Sequence, residues 1–243
     1  MKQFKLLLII LFCGFTSMNC QFFGTKKING NGKISHETRS AKTYDSIEVI
    51  GSLDVELIRG KEGVIKIEAE ENLLEYIQTQ VSSSRLTIKV KKGYSIRPSI
   101  RKRIAITVPF DEISEVILTG SGDIESTDII KTKHFSTAVS GSGDVNLNVI
   151  SQRITSDVAG SGDLKLYGRT DHFDVSVSGS GNVSAYELIA NIAEVSVAGS
   201  GGVRLYVNES LNASVAGSGD IRYKGNPMNI EKSIVGSGDI SKQ

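Results

Sequence analysis

The residues of this chain that could act as a chemical set are acidic ones at a fixed place in a repeated phrase. Gly-Ser-Gly-Asp-Ile spans Gly120–Ile124, and the phrase returns with substitutions from Gly141, Gly160, Gly179, Gly199, Gly217 and Gly236. Its fourth position is Asp123, Asp144, Asp163, Asn182, Gly202, Asp220 and Asp239, with Asp54 in a degenerate first copy. If the copies stack, these carboxylates lie about 5 Å apart and repel, so cations between them would be welcome. Ca²⁺ takes several oxygen ligands from such loops, and Gly-Asp phrases hold it in nine-residue solenoid repeats. Here the period is longer, the flanking strands carry single Asp residues, and Asn182 and Gly202 interrupt the column. Closure of the bend by side-chain-to-backbone hydrogen bonds is the plainer use of these residues. Asp123, Asp144, Asp163, Asp220 and Asp239 stand as weak candidate ligands, and no metal or cofactor is expected.

A second acidic set, Asp157, Asp174 and Glu194, falls at outward strand positions in successive repeats. Carboxylates about 5 to 9 Å apart could support glycoside hydrolysis; surface charge that keeps the protein soluble is the simpler reading. His36, His134 and His172 are not paired at helical spacing, and no Cys–His cluster exists to hold zinc. There is no nucleophile elbow, phosphate loop or zincin motif, so no catalytic residue is assigned. Lys89, Lys91, Lys92, Arg97, Arg101, Lys102 and Arg103 form a basic cluster in a chain of formal net charge +1. Such a cluster can meet anionic glycans or lipid headgroups; a solvated loop is the alternative. For an exported protein no nucleic-acid partner is expected.

The elements that would position these groups follow from the phrase's spacing. The intervals between first glycines are 21, 19, 19, 20, 18 and 19 residues, which is the mark of a repeat architecture. Before each phrase, Phe135, Thr137 and Val139, or Phe173, Val175 and Val177, alternate with polar residues. After it, Val145 and Leu147, Leu164 and Leu166, or Val203 and Leu205 do the same. Alternation of period two marks strands with one buried face. Each repeat therefore reads as strand, Gly-Ser-Gly bend, strand and a second turn, as in Tyr167-Gly168-Arg169-Thr170. Glycines at the bend permit positive φ. About 19 residues at roughly 3.3 Å each make a coil some 60 Å around. One coil cannot bury its own apolar face, but stacked coils can. The fixed interval favours an all-β parallel β-helix; an antiparallel sandwich of short strands is the competing architecture.

The ends of the chain divide it further. Residues 1–20 carry a basic start, an apolar run from Leu6 to Phe12 too short to span a bilayer, and Ser-Met-Asn-Cys ending at Cys20. This predicts an exported protein, with Cys20 acylated as in a bacterial lipoprotein. The alternative is an ordinary secretory leader. Residues 21–43, rich in Gly and polar side chains, read as a tether. Residues 44–243 form the domain, with a degenerate coil at Ile47–Leu57, a non-repeating insert at about 58–115 and regular repeats at about 116–243. In the insert, Val64–Ala69, Leu86–Val90 and Ile104–Val108 read as strands. Leu73, Leu74, Ile77 and Val81 are spaced for one face of a short helix. This extra β-structure is expected to cover the N-terminal end of the stack, because an open coil end invites aggregation.

The ordered set of motifs resembles a known family. It comprises the lipoprotein-type leader, Gly30-Asn31-Gly32, the repeated Gly-Ser-Gly-Asp/Asn after alternating strands, and Tyr223–Pro227. Over about Tyr44 to Ile240 the chain is similar to DUF2807, the "putative auto-transporter adhesin, head GIN domain" common in Bacteroidetes lipoproteins. The resemblance implies a right-handed parallel β-helix and carries over no functional residue. Taken with the absence of a reaction centre, it leads us to expect a non-enzymatic protein of the cell envelope, on the outer membrane through lipid on Cys20. It would act in adhesion, glycan or surface-protein binding, or as a scaffold. A polysaccharide-processing β-helix enzyme is the alternative.

Overall fold

The computed structural model describes residues 25–243; the leader and Cys20 lie outside the described residues. Successive copies of the phrase pair in parallel, which decides between the two architectures in favour of a stacked β-solenoid. Gly51, Gly120, Gly141, Gly160, Gly179, Gly199, Gly217 and Gly236 lie one above another in register. Ile124–Gly141, Val145–Gly160, Asp163–Gly179, Asn182–Gly199 and Gly202–Gly217 each make one coil.

Alternation fills the interior as the pattern requires. Two residues before the first glycine, Val139, Val158, Val177, Val197 and Val215 stack inside the coils, all buried. Four residues after it, Val145, Leu164, Val183, Val203 and Ile221 form the facing row. Each such side chain contributes about 1.5–3 kcal/mol by leaving water. The second turn is no loop: the parallel ladder continues through it. In two coils a buried hydroxyl shapes the corner. Ser151 Oγ–H reaches Lys133 O at 3.0 Å and Arg153 O at 2.8 Å, and Thr170 repeats the arrangement with Gln152 O and His172 O.

At the bend, the two glycines have different reasons. Positive φ belongs to the first: Gly141 is at 126° and Gly160 at 118°. The second glycines, Gly143, Gly162 and Gly219, for which the phrase also suggested positive φ, do not adopt it. They are glycine for want of space. A Cβ on Gly162 would sit on the carbonyl oxygen of Gly143 below and 3.0 Å from Val139 Cγ1. The stack is stapled here. The carbonyl of each first glycine accepts the N–H groups of Ser and Gly in the next bend, as Gly141 does from Ser161 at 2.8 Å and Gly162 at 3.0 Å.

The N-terminal region departs from the sequence reading in three ways. Residues 26–40 are not a tether. Lys26–Asn29 pairs in parallel with Tyr94–Arg97, and Ile34–Ser40 pairs antiparallel with Val64–Glu70. The alternating Ile34-Ser35-His36-Glu37-Thr38 fits a strand edge well enough to join the sheet. The expected helix over Leu73–Val81 is only a 3-10 segment, Glu71–Tyr76, and Ile77–Ser82 is a strand antiparallel to Arg85–Val90. β-branched residues and a ready partner strand override the helical spacing. Finally, the insert lacks the phrase yet adds a layer to the stack. Arg85–Val90 lies parallel to Ser46–Gly51, and Ala105–Phe110 parallel to Asp54–Arg59. The antiparallel strands Ile34–Ser40, Val64–Glu70 and Ile77–Ser82 finish that end.

The C-terminal end is guarded differently. The edge strand Asn229–Gly236 leaves Ile234 at 45 % and Val235 at 71 % exposure. Its inward position below the valines and Ala213 of earlier coils is Lys232. Lys232 Nζ donates to Ile240 O at 2.9 Å and lies 5.1 Å from the centre of the Tyr223 ring. An inward charge on an edge strand opposes pairing with another chain.

Because solenoid stability is nearly a sum of coil and neighbour terms, Gly162→Val, with coils on both sides, is expected to cost about 3 kcal/mol or more through steric overlap with the bend below. Gly238→Val in the last coil should cost less. Thermal midpoints of the two variants check this order.

Candidate functional site

The Asp column does not close its own bends. Each carboxylate instead reaches the coil above. Asp54 Oδ1 accepts the Asp123 N–H at 3.2 Å, Asp123 that of Asp144 at 3.2 Å, Asp144 that of Asp163 at 3.0 Å, and Asp163 that of Asn182 at 3.0 Å. Asn182 Nδ2–H adds a second donor to Asp163 Oδ1 at 3.0 Å. The turn-closure expectation is corrected to a coil-to-coil ladder, which also disperses the charge that a cation would otherwise balance. The ladder stops at Gly202. Above it the Asp220 and Asp239 N–H groups turn to backbone carbonyls at 3.3 Å, and Asp220 accepts from Arg222 at 3.3 Å. Among the described residues, no three His, Cys, Asp or Glu side chains converge as a metal site.

The second acidic set splits in the structure. Asp174 and Glu194 are register partners, but Asp157 lies two residues along, opposite Ser176. Asp174 is taken up by an ion pair with Arg153. The surface between them is an open groove lined by the acidic residues and by small hydroxyl side chains such as Ser176, Ser196 and Ser214. Asp157 and Glu194 also line it, on its two sides, and neither has an ion-pair partner among the described residues.

The basic cluster belongs to the cap. Its loop holds Glu70, which is only 1 % exposed. Glu70 accepts Ser99 N–H at 2.8 Å, Ser99 Oγ–H at 2.6 Å and the Gly32 N–H. Burial pushes its pKa up, but the bonds from Ser99 and Gly32, with Lys102 nearby, outweigh this and hold the carboxyl below its usual range. Asn72 Oδ1 accepts the Asn31 N–H and its Nδ2–H donates to Asn29 O, so the segment around Gly30–Gly32 is clamped to the cap. Lys91 stands over the Tyr94 ring at 5.7 Å.

A different set of outward residues, which the sequence reading passed over, lies on the face that follows each bend. Seven residues after the first glycine stand Tyr167, Tyr186 and Tyr206, half-buried beside the inward Leu166, Ala185 and Leu205. The register slips at bulges next to these positions, so that Tyr167 lies opposite Glu187, Tyr206 lies opposite Ile189, and Tyr186 falls within the bulge. Two residues nearer the bend on the same face are Lys165, Arg204 and Arg222, with Lys224 above Tyr206. Lys224 Nζ sits 4.4 Å from the Tyr186 ring centre, and Tyr186 Oη contacts Gln243. Their signal in the sequence is the shared offset from the phrase. Aromatic rings with polar tips, flanked by cations, form a surface that can stack on a partner and hydrogen-bond to it.

The sequence matches the family described as "Putative auto-transporter adhesin, head GIN domain" over residues 43–227. A "putative adhesin" from Bacteroides fragilis is 25% identical, with TM-score 0.80 over 89% of this chain and 100% of its own. A "putative lipid binding protein" from Parabacteroides distasonis is 30% identical, with TM-score 0.73 over 90% of this chain and 100% of its own. A "putative adhesin" from the same species, 22% identical with TM-score 0.72, shares the fold over 90% of this chain and 100% of its own. No curated protein matches the chain.

Asp163→Asn is expected to be nearly silent, within about 0.5 kcal/mol, because an amide oxygen can still accept the Asn182 N–H. Thermal midpoints with and without Ca²⁺ check it. A large loss seen only with Ca²⁺ would make the column a metal site.

Proposed function

The chain belongs to the DUF2807 family, and from that premise we propose that it is an exported, lipid-anchored, non-enzymatic adhesin of the cell envelope that binds glycan. The family's description as an adhesin supports the adhesion role. The observation that carries the glycan reading is the set Tyr167, Tyr186 and Tyr206, half-buried at the same offset from three successive bends, with Lys224 opposite Tyr206 and over the Tyr186 ring. A sugar ring offers an apolar C–H face and a rim of hydroxyls, and a tyrosine flanked by cations answers both. Coils about 4.8 Å apart present such positions repeatedly, which suits a polymer.

Anchoring rests on the leader and Cys20. With lipid there, the head would be held by the short segment before Lys26, and the clamp of Gly30–Gly32 onto Glu70 would join that segment firmly to the cap. The outer membrane is the proposed site of the anchor.

The test of the glycan reading is retention of the mature chain on a panel of immobilised envelope and matrix polysaccharides. Tyr186→Ala should weaken the best interaction about 2- to 10-fold, the range expected for one aromatic stacking contact, with the fold intact. Release of soluble sugar fragments from any polysaccharide would replace this reading with an enzymatic one. Separately, Cys20→Ser should move the protein from the membrane fraction to the soluble one. Unchanged membrane association in that variant contradicts the lipid anchor.

A further inference from the structure

Gly202 is a glycine without a backbone reason. The bend glycines need positive φ or have no room for a Cβ. At Gly202 φ is not in the left-handed region, and a Cβ would meet only the Asn182 side chain, Oδ1 at 3.3 Å, which can give by a few tenths of an ångström, and Asp220 O at 3.4 Å. The other copies of the phrase carry Asp or Asn at this place. Glycine inside a strand weakens it, and here it offers no carboxylate to the Asp220 N–H above, so the ladder has a gap at this coil. A glycine that costs stability in a strand often marks the close approach of a ligand.

What surrounds it has the character of a binding site. The missing side chain leaves a dimple of about 120 Å³ bounded by Asn182, Ser200, Arg204, Ser218, Asp220 and Arg222. Arg204 and Arg222 are directly opposite in register, an arrangement that is unfavourable for like charges unless an anion joins them. Arg222 leans on Asp220, and Arg204 has no ion-pair partner among the described residues. Asn182 spends its Nδ2–H on Asp163, so its Oδ1, the atom nearest the empty Cβ position, remains an acceptor.

We propose that the Gly202 notch is a subsite for a uronic-acid-type sugar, its carboxylate held by Arg204 and Arg222 and its hydroxyls donating to Asn182 Oδ1 and Asp220. This deepens the glycan reading and rests on it. The mixture of donors and acceptors selects the class. A bare sulfate would meet the two guanidinium groups but would be repelled by the acceptor oxygens, while a sugar acid satisfies both. Gly202, Arg204 and Tyr206 are alternate residues of one strand, about 7 Å apart in steps. A neighbouring sugar of the same polymer can therefore lie against Tyr206 or Tyr186.

The experiment measures retention of the mature chain on immobilised polygalacturonate, neutral dextran and dextran sulfate. Polygalacturonate should bind best, and Arg204→Gln should weaken it about tenfold. Gly202→Asp is the decisive variant. It fills the notch with a carboxylate and restores the ladder, so the thermal midpoint should hold or rise while polygalacturonate binding falls at least tenfold and the Tyr186 contribution to neutral polymers stays. Full binding in a folded Gly202→Asp protein, or dextran sulfate bound as well as polygalacturonate, overturns the subsite and leaves the glycan reading in place. Absence of binding to every polysaccharide overturns both.

Discussion

Everything in this molecule depends on how one bend sits on the next. The carbonyl of each first glycine takes two N–H groups from the bend above, at 2.8–3.1 Å from Gly120 upward. That geometry needs positive φ at the first glycine and no Cβ at the second. A backbone carbonyl with two lone pairs satisfied in this way leaves little freedom for slippage, and a one-residue slip would turn every inward side chain to solvent. The staple thus fixes register, and register fixes which residues share a row. The rows of valine that form the core and the outward rows that could bind are consequences of the same constraint.

Coil-to-coil stacking also explains why the ends differ from the middle. Each internal coil is satisfied by its neighbours, so the ends need separate devices. One end is finished by antiparallel strands and the Glu70 clamp, the other by Lys232 turned inward onto Ile240 O. The outer faces are then free to vary without cost to the fold. On one face variation yields small hydroxyl residues over an open groove. On the other it yields the tyrosines, the arginines and the single absent side chain at Gly202.

Much of this was legible beforehand because it is written in periods. Val139, Val158 and Val177 announce buried strands, and the spacing of the glycines announces stacked coils. What was not legible depends on contacts between coils. Nothing local says whether Gly160 or Gly162 carries the positive φ, since either would serve an isolated bend; only the carbonyl below decides. Asp163 looks equally able to close its own turn or to reach Asn182. Leu73, Ile77 and Val81 have helical spacing, but the strand Arg85–Val90 offers Ile77–Ser82 an antiparallel partner. Residues 26–40 looked like a tether because their partners, Tyr94–Arg97 and Val64–Glu70, lie far along the chain. The tyrosine set could have been found from its constant offset to the phrase; the notch at Gly202 needed the structure, since its meaning lies in the room around it.

The central claim is that the face following the bends, and not the hydroxyl-lined face preceding them, receives the partner. The most direct measurement is an amide chemical-shift map of the mature chain titrated with a galacturonate oligomer. The account predicts that the largest, saturable changes fall on Gly202, Arg204, Tyr206, Arg222 and Lys224. Changes centred on Asp174, Glu194 and Ser196 in the opposite groove, or no saturable change at any residue, would contradict it.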